Sequence, residues 1–360
     1  MPKRPHPSLT IPGLIIILLA FLTIASGPKA QRAITDMLGR RIMVSDPLQR
    51  VALLGGPTGQ VAYILGSQDR LCAVTASLKT SPLVRSMDPR IQTLPGPRTT
   101  AGNINIEALI AADPQLVVAG GIDGEIVQRK TRIPVAFLDD NMGQGFENLK
   151  REIRFYANVF QSQTRGERYI AYLDKTLALL KGRLSAIPPE RRVLVFNGYG
   201  PAHLVTLGGD TFMQERLLAA GCRNAAEDIV TTGKREGLHT GLGEVSMEQV
   251  LGWNPDVVVI DSGTPETVYA DPRWKSLRAV KQHRVFRQPS GVFIWDRPTA
   301  ESAVLYPLWI ACTAYPERFQ DINLAAEIQR FYREVFGFSL NESQARKVLS
   351  GGYADMAYNG

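Results

Sequence analysis

Tyr199, His203, Arg235, His239, Trp295 and Arg297 are the side chains of this chain best suited to holding a charged small molecule. Arginine presents a planar fork of donors that matches carboxylate, catecholate or oxyanion groups. Tyrosine and histidine add donors that suit an anion or the rim of a metal chelate. These residues fall in the polar loops 197–203, 234–240 and 291–297. A second set, Pro57, Thr58, Ser77 and Thr100, lies in the loops 55–58, 75–77 and 98–102. It is small and hydroxyl-bearing, fit for O–H and backbone N–H contacts. Each residue of the first set also has a purely structural reading. Tyr199 can be a turn aromatic, His203 and His239 surface or satisfied histidines, and Arg235 a solvated charge. Arg297 can pair with Asp296 or Glu301, and Trp295 can belong to the core.

The chemistry these residues support is recognition without turnover. No G-x-S-x-G elbow occurs, and the glycine-rich Gly55-Gly56-Pro57-Thr58-Gly59-Gln60 lacks the Lys-Ser/Thr of a phosphate-gripping loop. Gly198-Tyr199-Gly200 lacks the later glycine of a dinucleotide turn. The four histidines show neither H-x-x-x-H nor H-E-x-x-H spacing, which disfavours a preformed cage for a bare divalent metal. No catalytic residue, resident metal or cofactor is expected; any metal belongs to the ligand. Cys72, Cys222 and Cys312 share no C-x-x-C spacing. They read as three small buried thiols, or as one disulfide and one free thiol.

Loops of this kind need a rigid scaffold, and the sequence writes one twice. The phrase Asn105-Ile106-Glu107-Ala108-Leu109-Ile110 runs through Asp113-Pro114-Gln115 into Leu116-Val117-Val118. Ser246-Met247-Glu248-Gln249-Val250-Leu251 runs through Asn254-Pro255-Asp256 into Val257-Val258-Val259 in the same way. Each copy has a capping residue, an apolar i, i+3, i+4 set, a proline that stops the helix and a β-branched run. A short helix feeding a buried parallel strand, once in each half, predicts two similar α/β lobes facing each other across a cleft. In such lobes ligands bind beyond the carboxyl ends of the strands, which is where the loops above fall.

The expected fold class is α/β: two Rossmann-like lobes with central, mostly parallel sheets joined by a long α-helix. Residues 31–160 form the N-terminal lobe, 161–187 the linking helix, and 188–360 the C-terminal lobe with its C-terminal helices. Leu173, Leu177, Leu180 and Leu184 give the linking helix a core-facing stripe. A hairpin turning at Leu38-Gly39 precedes the first lobe. At 360 residues, 44% hydrophobic and 21% charged, the chain is long enough for two ordinary globular domains. Residues 1–30 read as a signal peptide. Lys3 and Arg4 precede an apolar run over 11–22, and Ala25-Ser26-Gly27 supplies small residues for cleavage. The protein is therefore expected to be exported, held by its N-terminus if the segment stays uncleaved. The net charge of +7 is scattered rather than massed, without the basic stripe or interleaved aromatics of a nucleic-acid reader.

Taken in order along the chain, these features resemble the periplasmic substrate-binding proteins of ABC importers for ferric siderophores, haem and cobalamin. The resemblance rests on the strand 50–54 with its glycine loop, Gly66-Ser67-Gln68-Asp69-Arg70, the doubled phrase and the mid-chain helix. It also rests on the ending Trp295-Asp296-Arg297-Pro298, Leu308-Trp309-Ile310-Ala311, Tyr315-Pro316-Glu317-Arg318-Phe319 and Phe331-Tyr332. It spans nearly the whole chain after the signal. What it implies is a monomeric receptor that delivers ligand to an inner-membrane permease with its ATPase. It also implies that Glu107 and Glu248 match the glutamates that dock such receptors on permease arginines. Both occupy the first turn after a cap, where a carboxylate also favours the helix dipole.

The resemblance thus implies binding of a ferric, siderophore-like chelate in the cleft. Alternatives are haem or a corrinoid, or an oxyanion such as molybdate or tungstate; a remoter one is an exported α/β enzyme or sensor. The stretches before Glu107 and Glu248 lack the aromatics of cobalamin receptors, which weakens the wall a corrin ring would need.

Overall fold

Short β-branched runs in each half of the chain pair in parallel and make the cores of two separate sheets. The computed structural model describes residues 1–2, 30–55, 59–99, 102–139, 145–198, 204–231 and 242–354. The segment read as a signal peptide falls almost entirely outside them.

The first element is the expected hairpin, β1 (Gln31–Thr35) against β2 (Arg41–Ser45), paired antiparallel. Asp36 staples its turn. Its carboxylate accepts from the Leu38 and Arg40 amides and the Arg40 guanidinium, and also from the Phe137 amide of the first lobe.

The N-terminal lobe then runs β3 (Val51–Leu53), α1 (Val61–Ile64), β4 (Leu71–Ala73), α2 (Ala76–Thr80) and α3 (Pro82–Met87). It continues with α4 (Ile106–Ala111), β5 (Leu116–Ala119), α5 (Gly121–Lys130) and β6 (Val135–Phe137). The strand order is β4-β3-β5-β6, and every pair is parallel.

Two helices follow, α6 (Phe146–Phe160) and α7 (Gln163–Leu184), separated by Gln161 in the left-handed region at φ 52°. Leu173, Leu180 and Leu184 of α7 are buried, and Leu177 packs against the core while partly exposed. A fully buried leucine contributes roughly 1.5–3 kcal/mol, so this stripe holds α7 firmly. Tyr169 adds a tie to the second lobe: its hydroxyl donates to the Ala300 carbonyl at 2.8 Å.

The C-terminal lobe runs β7 (Leu194–Gly198), β8 (Val205–Thr206), α8 (Phe212–Ala219), β9 (Arg223–Asn224), β10 (Gly243–Glu244), α9 (Met247–Trp253) and β11 (Val257–Ile260). Then come α10 (Pro265–Ala270), α11 (Arg278–Lys281) and β12 (Val285–Arg287). Its sheet order is β10-β8-β7-β11-β12, with β9 beside the start of β7. The set β7, β11, β12 and β9 is parallel, while β8 and β10 extend the edge antiparallel. The sequence did not predict that extension, because strands of two residues leave no periodicity to read. The chain closes with α12 (Ala300–Ala314), α13 (Leu324–Phe331), a π-helical turn over Tyr332–Phe336 and α14 (Glu342–Leu349). Leu305, Leu308 and Trp309 are buried in α12.

The doubled phrase is duplicated in structure as well as in letters. Asn105 caps α4 by accepting from the Ala108 amide, and Ser246 caps α9 by accepting from the Gln249 amide. Each copy leaves its helix through one left-handed residue before proline, Asp113 and Asn254, both at φ 46°. After the proline, Gln115 accepts from the Arg50 amide beside β3, and Asp256 accepts from the Leu194 amide of β7. The same device therefore ties strand to strand in both lobes. The three cysteines are free thiols: Cys72 and Cys222 are buried and Cys312 is partly so.

Candidate ligand-binding cleft

Because the core strands of each lobe are parallel, the loops that leave their carboxyl ends lie along one edge. In this structure the two carboxyl edges meet. Ser81, beyond β4, donates from Oγ to the Val292 carbonyl beyond β12 at 2.7 Å. Gln60, beyond β3, accepts from the Glu301 amide at 3.4 Å. The Phe146 amide, beyond β6, donates to the Glu215 carboxylate of α8 at 2.5 Å. The two carboxyl edges are thus tied to each other by hydrogen bonds.

On the second lobe the pin is built around Glu301, fully buried in the first turn of α12. Its carboxyl accepts from the Val292 amide at 2.9 Å, the Trp295 indole N–H at 3.3 Å and the Tyr332 hydroxyl at 2.5 Å. Burial pushes this carboxyl up to about 7 against the pull of those donors. Only glycine fits at 291, where a Cβ would lie 1.7 Å from the Glu301 Oε1.

The neighbouring loop is clamped from behind by Arg216 of α8. Its guanidinium donates to the Arg297 carbonyl at 3.0 Å, the Thr299 carbonyl at 3.3 Å and the Ser302 hydroxyl at 2.9 Å, and stacks over Phe212 at 4.4 Å. Burial lowers Arg216 to about 9. Held this way, the loop presents Asp296 and Arg297. Their side chains pair at 3.1 Å, with the Asp296 side chain 2% and the Arg297 side chain 30% exposed. Asp261, directly after β11, faces the same pair. Burial, and then the charge of Asp296, push its carboxyl up to about 7. Burial also raises Asp296, although Arg297 and Arg216 pull it the other way.

On the first lobe the described edge carries Thr75 and Ser77. Thr75 caps α2, with its Oγ1 3.1 Å from the Oγ of half-buried Ser77. Arg98 is tied to Asp123 on α5, which anchors the start of the 98–102 loop. Among the described residues no group of three or more His, Cys, Asp or Glu side chains could hold a metal ion.

Of the residues singled out in the sequence, Ser77 and Arg297 lie on the two carboxyl edges that meet. Trp295 lies in the interior, 1% exposed and bonded to Glu301, which is the core reading of the two it carried. Pro57, Thr58, Thr100, Tyr199, His203, Arg235 and His239 lie outside the described residues. Glu107 and Glu248 are exposed in the first turns of α4 and α9.

Sequence reasoning passed over Asp261 and Arg216, and read Glu301 only as a partner for Arg297, whereas it bonds Val292, Trp295 and Tyr332. Asp261 had a legible signal, a carboxylate placed directly at the carboxyl end of a buried β-branched run. Arg216 also had one, as it shares a helical face with Phe212, Met213, Leu217 and Ala220 and so had to be buried.

This architecture and cleft agree with comparison to known proteins. The periplasmic binding protein family matches residues 51–291, and the chain belongs to that family. It is a solute receptor of the kind that serves ABC importers. Its relatives include the molybdate-binding protein MolA of Haemophilus influenzae, 26% identical over 360 residues, covering 93% of this chain and 98% of MolA. The vitamin B12-binding protein of Yersinia pseudotuberculosis is 24% identical over 246 residues, covering 67% and 79%. Among solved structures, a periplasmic solute-binding protein from Veillonella parvula superposes with a TM-score of 0.76 at 23% identity, covering 91% and 99%. MolA bound to molybdate superposes at 0.72 and 24% identity, covering 86% and 99%. No described helix is long and apolar enough to cross a membrane.

Proposed function

We propose that this receptor captures a metal oxyanion of the molybdate type between its lobes and hands it to an inner-membrane permease. The observation that carries the proposal is the end-to-end match to a molybdate-binding protein, which spans far more of this chain than the match to vitamin B12-binding proteins. The geometry favours a small ligand. Ser81–Val292 and Gln60–Glu301 hold the carboxyl edges together, and a macrocycle would have to break both. Arg297, Ser77 and the hydroxyls of Thr58 and Thr100 suit an anion that accepts hydrogen bonds on every side. The ferric chelate expected from the sequence is the second reading. It is favoured by the partly exposed Arg297 fork, which fits catecholate or carboxylate oxygens equally well.

Titration calorimetry with molybdate, tungstate, a ferric siderophore, haem and cobalamin separates these readings. The proposal expects saturable, near one-to-one binding of molybdate or tungstate at micromolar strength or tighter, about 8 kcal/mol. Saturation by the ferric chelate with no response to either oxyanion would replace it with the second reading.

Delivery follows the pseudo-symmetry of the doubled phrase. Glu107 and Glu248 offer one exposed carboxylate per lobe, each for an arginine of one permease subunit. Export by the N-terminal segment places the receptor where such docking can occur.

A further inference from the structure

Asp261 ends β11, the middle strand of the parallel set β7-β11-β12, so its side chain stands at the edge where ligand enters. It is 7% exposed, and its Oδ1 finds no hydrogen-bond partner among the described residues. The same holds for the Oδ1 of Asp296. In the sheet register Ile260 lies opposite Arg287, which sets Asp261 beside Gln288. The Gln288 side chain is 1% exposed, and neither atom of its amide has a described partner. Unpaired buried polar atoms are costly, and several gathered at one cleft edge mark a place where something else completes them.

The charges acting on Asp261 come from Asp296 and Arg297, and Arg216 acts on Asp296 from α8. Glu301 of α12 is turned away, toward Val292, Trp295 and Tyr332. Among the described residues, Arg297 is the cation that acts on both of these carboxyls. With both ionised, the edge would repel the anion it is built to receive.

We propose that Asp261 is a specificity-determining ligand contact that meets the anion as a neutral carboxyl, donating a hydrogen bond from its free oxygen, and that rejects it when ionised. The inference rests on the oxyanion reading above. An acceptor-only tetrahedral anion takes such a donor well, whereas a carboxylate at the same place repels it. Asp261 titrates near neutrality because of its burial and its neighbour Asp296. Anion binding above that point must then draw one proton from solution.

The test is calorimetry with molybdate from pH 6 to pH 9, on the full receptor and on Asp261→Asn. The native protein should lose affinity by up to about tenfold per pH unit above neutrality, the limit for one linked proton. Proton uptake, read from two buffers of different ionisation enthalpy, should approach one per anion at pH 8. Asp261→Asn, neutral at every pH, should bind with flat affinity and no uptake. Should that variant fold poorly, infrared difference spectra of the native protein at pH 8 give the same answer, since molybdate should convert one carboxylate to a carboxylic acid. Firm molybdate binding with no pH slope and no carboxyl change overturns this inference and leaves the oxyanion reading standing. A slope that persists in Asp261→Asn also overturns it. Absence of molybdate and tungstate binding even at pH 6 overturns the oxyanion reading and this inference with it.

Discussion

At the scale of single residues, the protein buries more ionisable groups than its sequence advertises. Glu152 of α6 is 1% exposed, and neither carboxyl oxygen has a partner among the described residues. Burial pushes it from 4.5 to about 8. The folded state therefore keeps a proton that the unfolded chain has released. The stability this confers is whole below about pH 4.5 and is lost as pH rises toward 8. Glu152→Gln cannot ionise and should flatten that dependence. Thermal melts at pH 6 and pH 9 should show the native protein losing about 3 kcal/mol relative to the variant between the two. Parallel curves would mean that Glu152 is ionised and paired in solution. Gly291→Ala should cost several kcal/mol by driving Glu301 off its three donors, and should loosen the cleft with it. Such residues are hard to find from sequence because their roles depend on partners far along the chain: Glu301 needs Tyr332, and Ser81 needs Val292. Arg297 could be singled out because its loop follows a strand; that Arg216 fixes that loop could not.

At the scale of elements, helix α8 is the piece that holds the cleft in shape. Glu215 takes the amide at the start of α6, and Arg216, the next residue, holds the carbonyls at 297 and 299. Arg216→Met keeps the apolar stem but removes every donor. It should destabilise the protein by about 3–5 kcal/mol and weaken ligand binding at least tenfold through the loss of loop position. Arg216→Lys should restore part of each. Melting curves and calorimetry on both variants check this, and unchanged affinity in Arg216→Met would show that the loop holds itself. The elements themselves were largely legible. The strands at Leu116–Ala119 and Val257–Ile260 follow from β-branched runs after proline, and the stripe on α7 follows from its leucine spacing. The antiparallel edge of β8 and β10 was not, because two-residue strands exist only through their pairing partners. The left-handed Gln161 was not either, since nothing but the tertiary fit of α6 to α7 requires a break there.

At the scale of the whole molecule, α7 packs between the two lobes, and cross-cleft hydrogen bonds add to it, so the lobes should move little on binding. Small-angle scattering with and without molybdate should give nearly superimposable profiles, whereas a large compaction would mean that the ties at Ser81 and Gln60 are not the resting state. Docking is a separable property. Glu107→Arg together with Glu248→Arg should abolish transport while leaving ligand affinity and melting temperature nearly unchanged, because both carboxylates are exposed and an interface repels a reversed charge. Transport that survives the double reversal would reduce both residues to helix-end carboxylates. The central claim is that one oxyanion sits between the carboxyl edges of the two sheets, and molybdenum's own X-ray absorption edge tests it most directly. Crystals grown with molybdate should show one strong anomalous peak between the lobes, bounded by the loops that carry Ser77, Asp261 and Arg297. No peak, or a peak away from that cleft, would contradict the account.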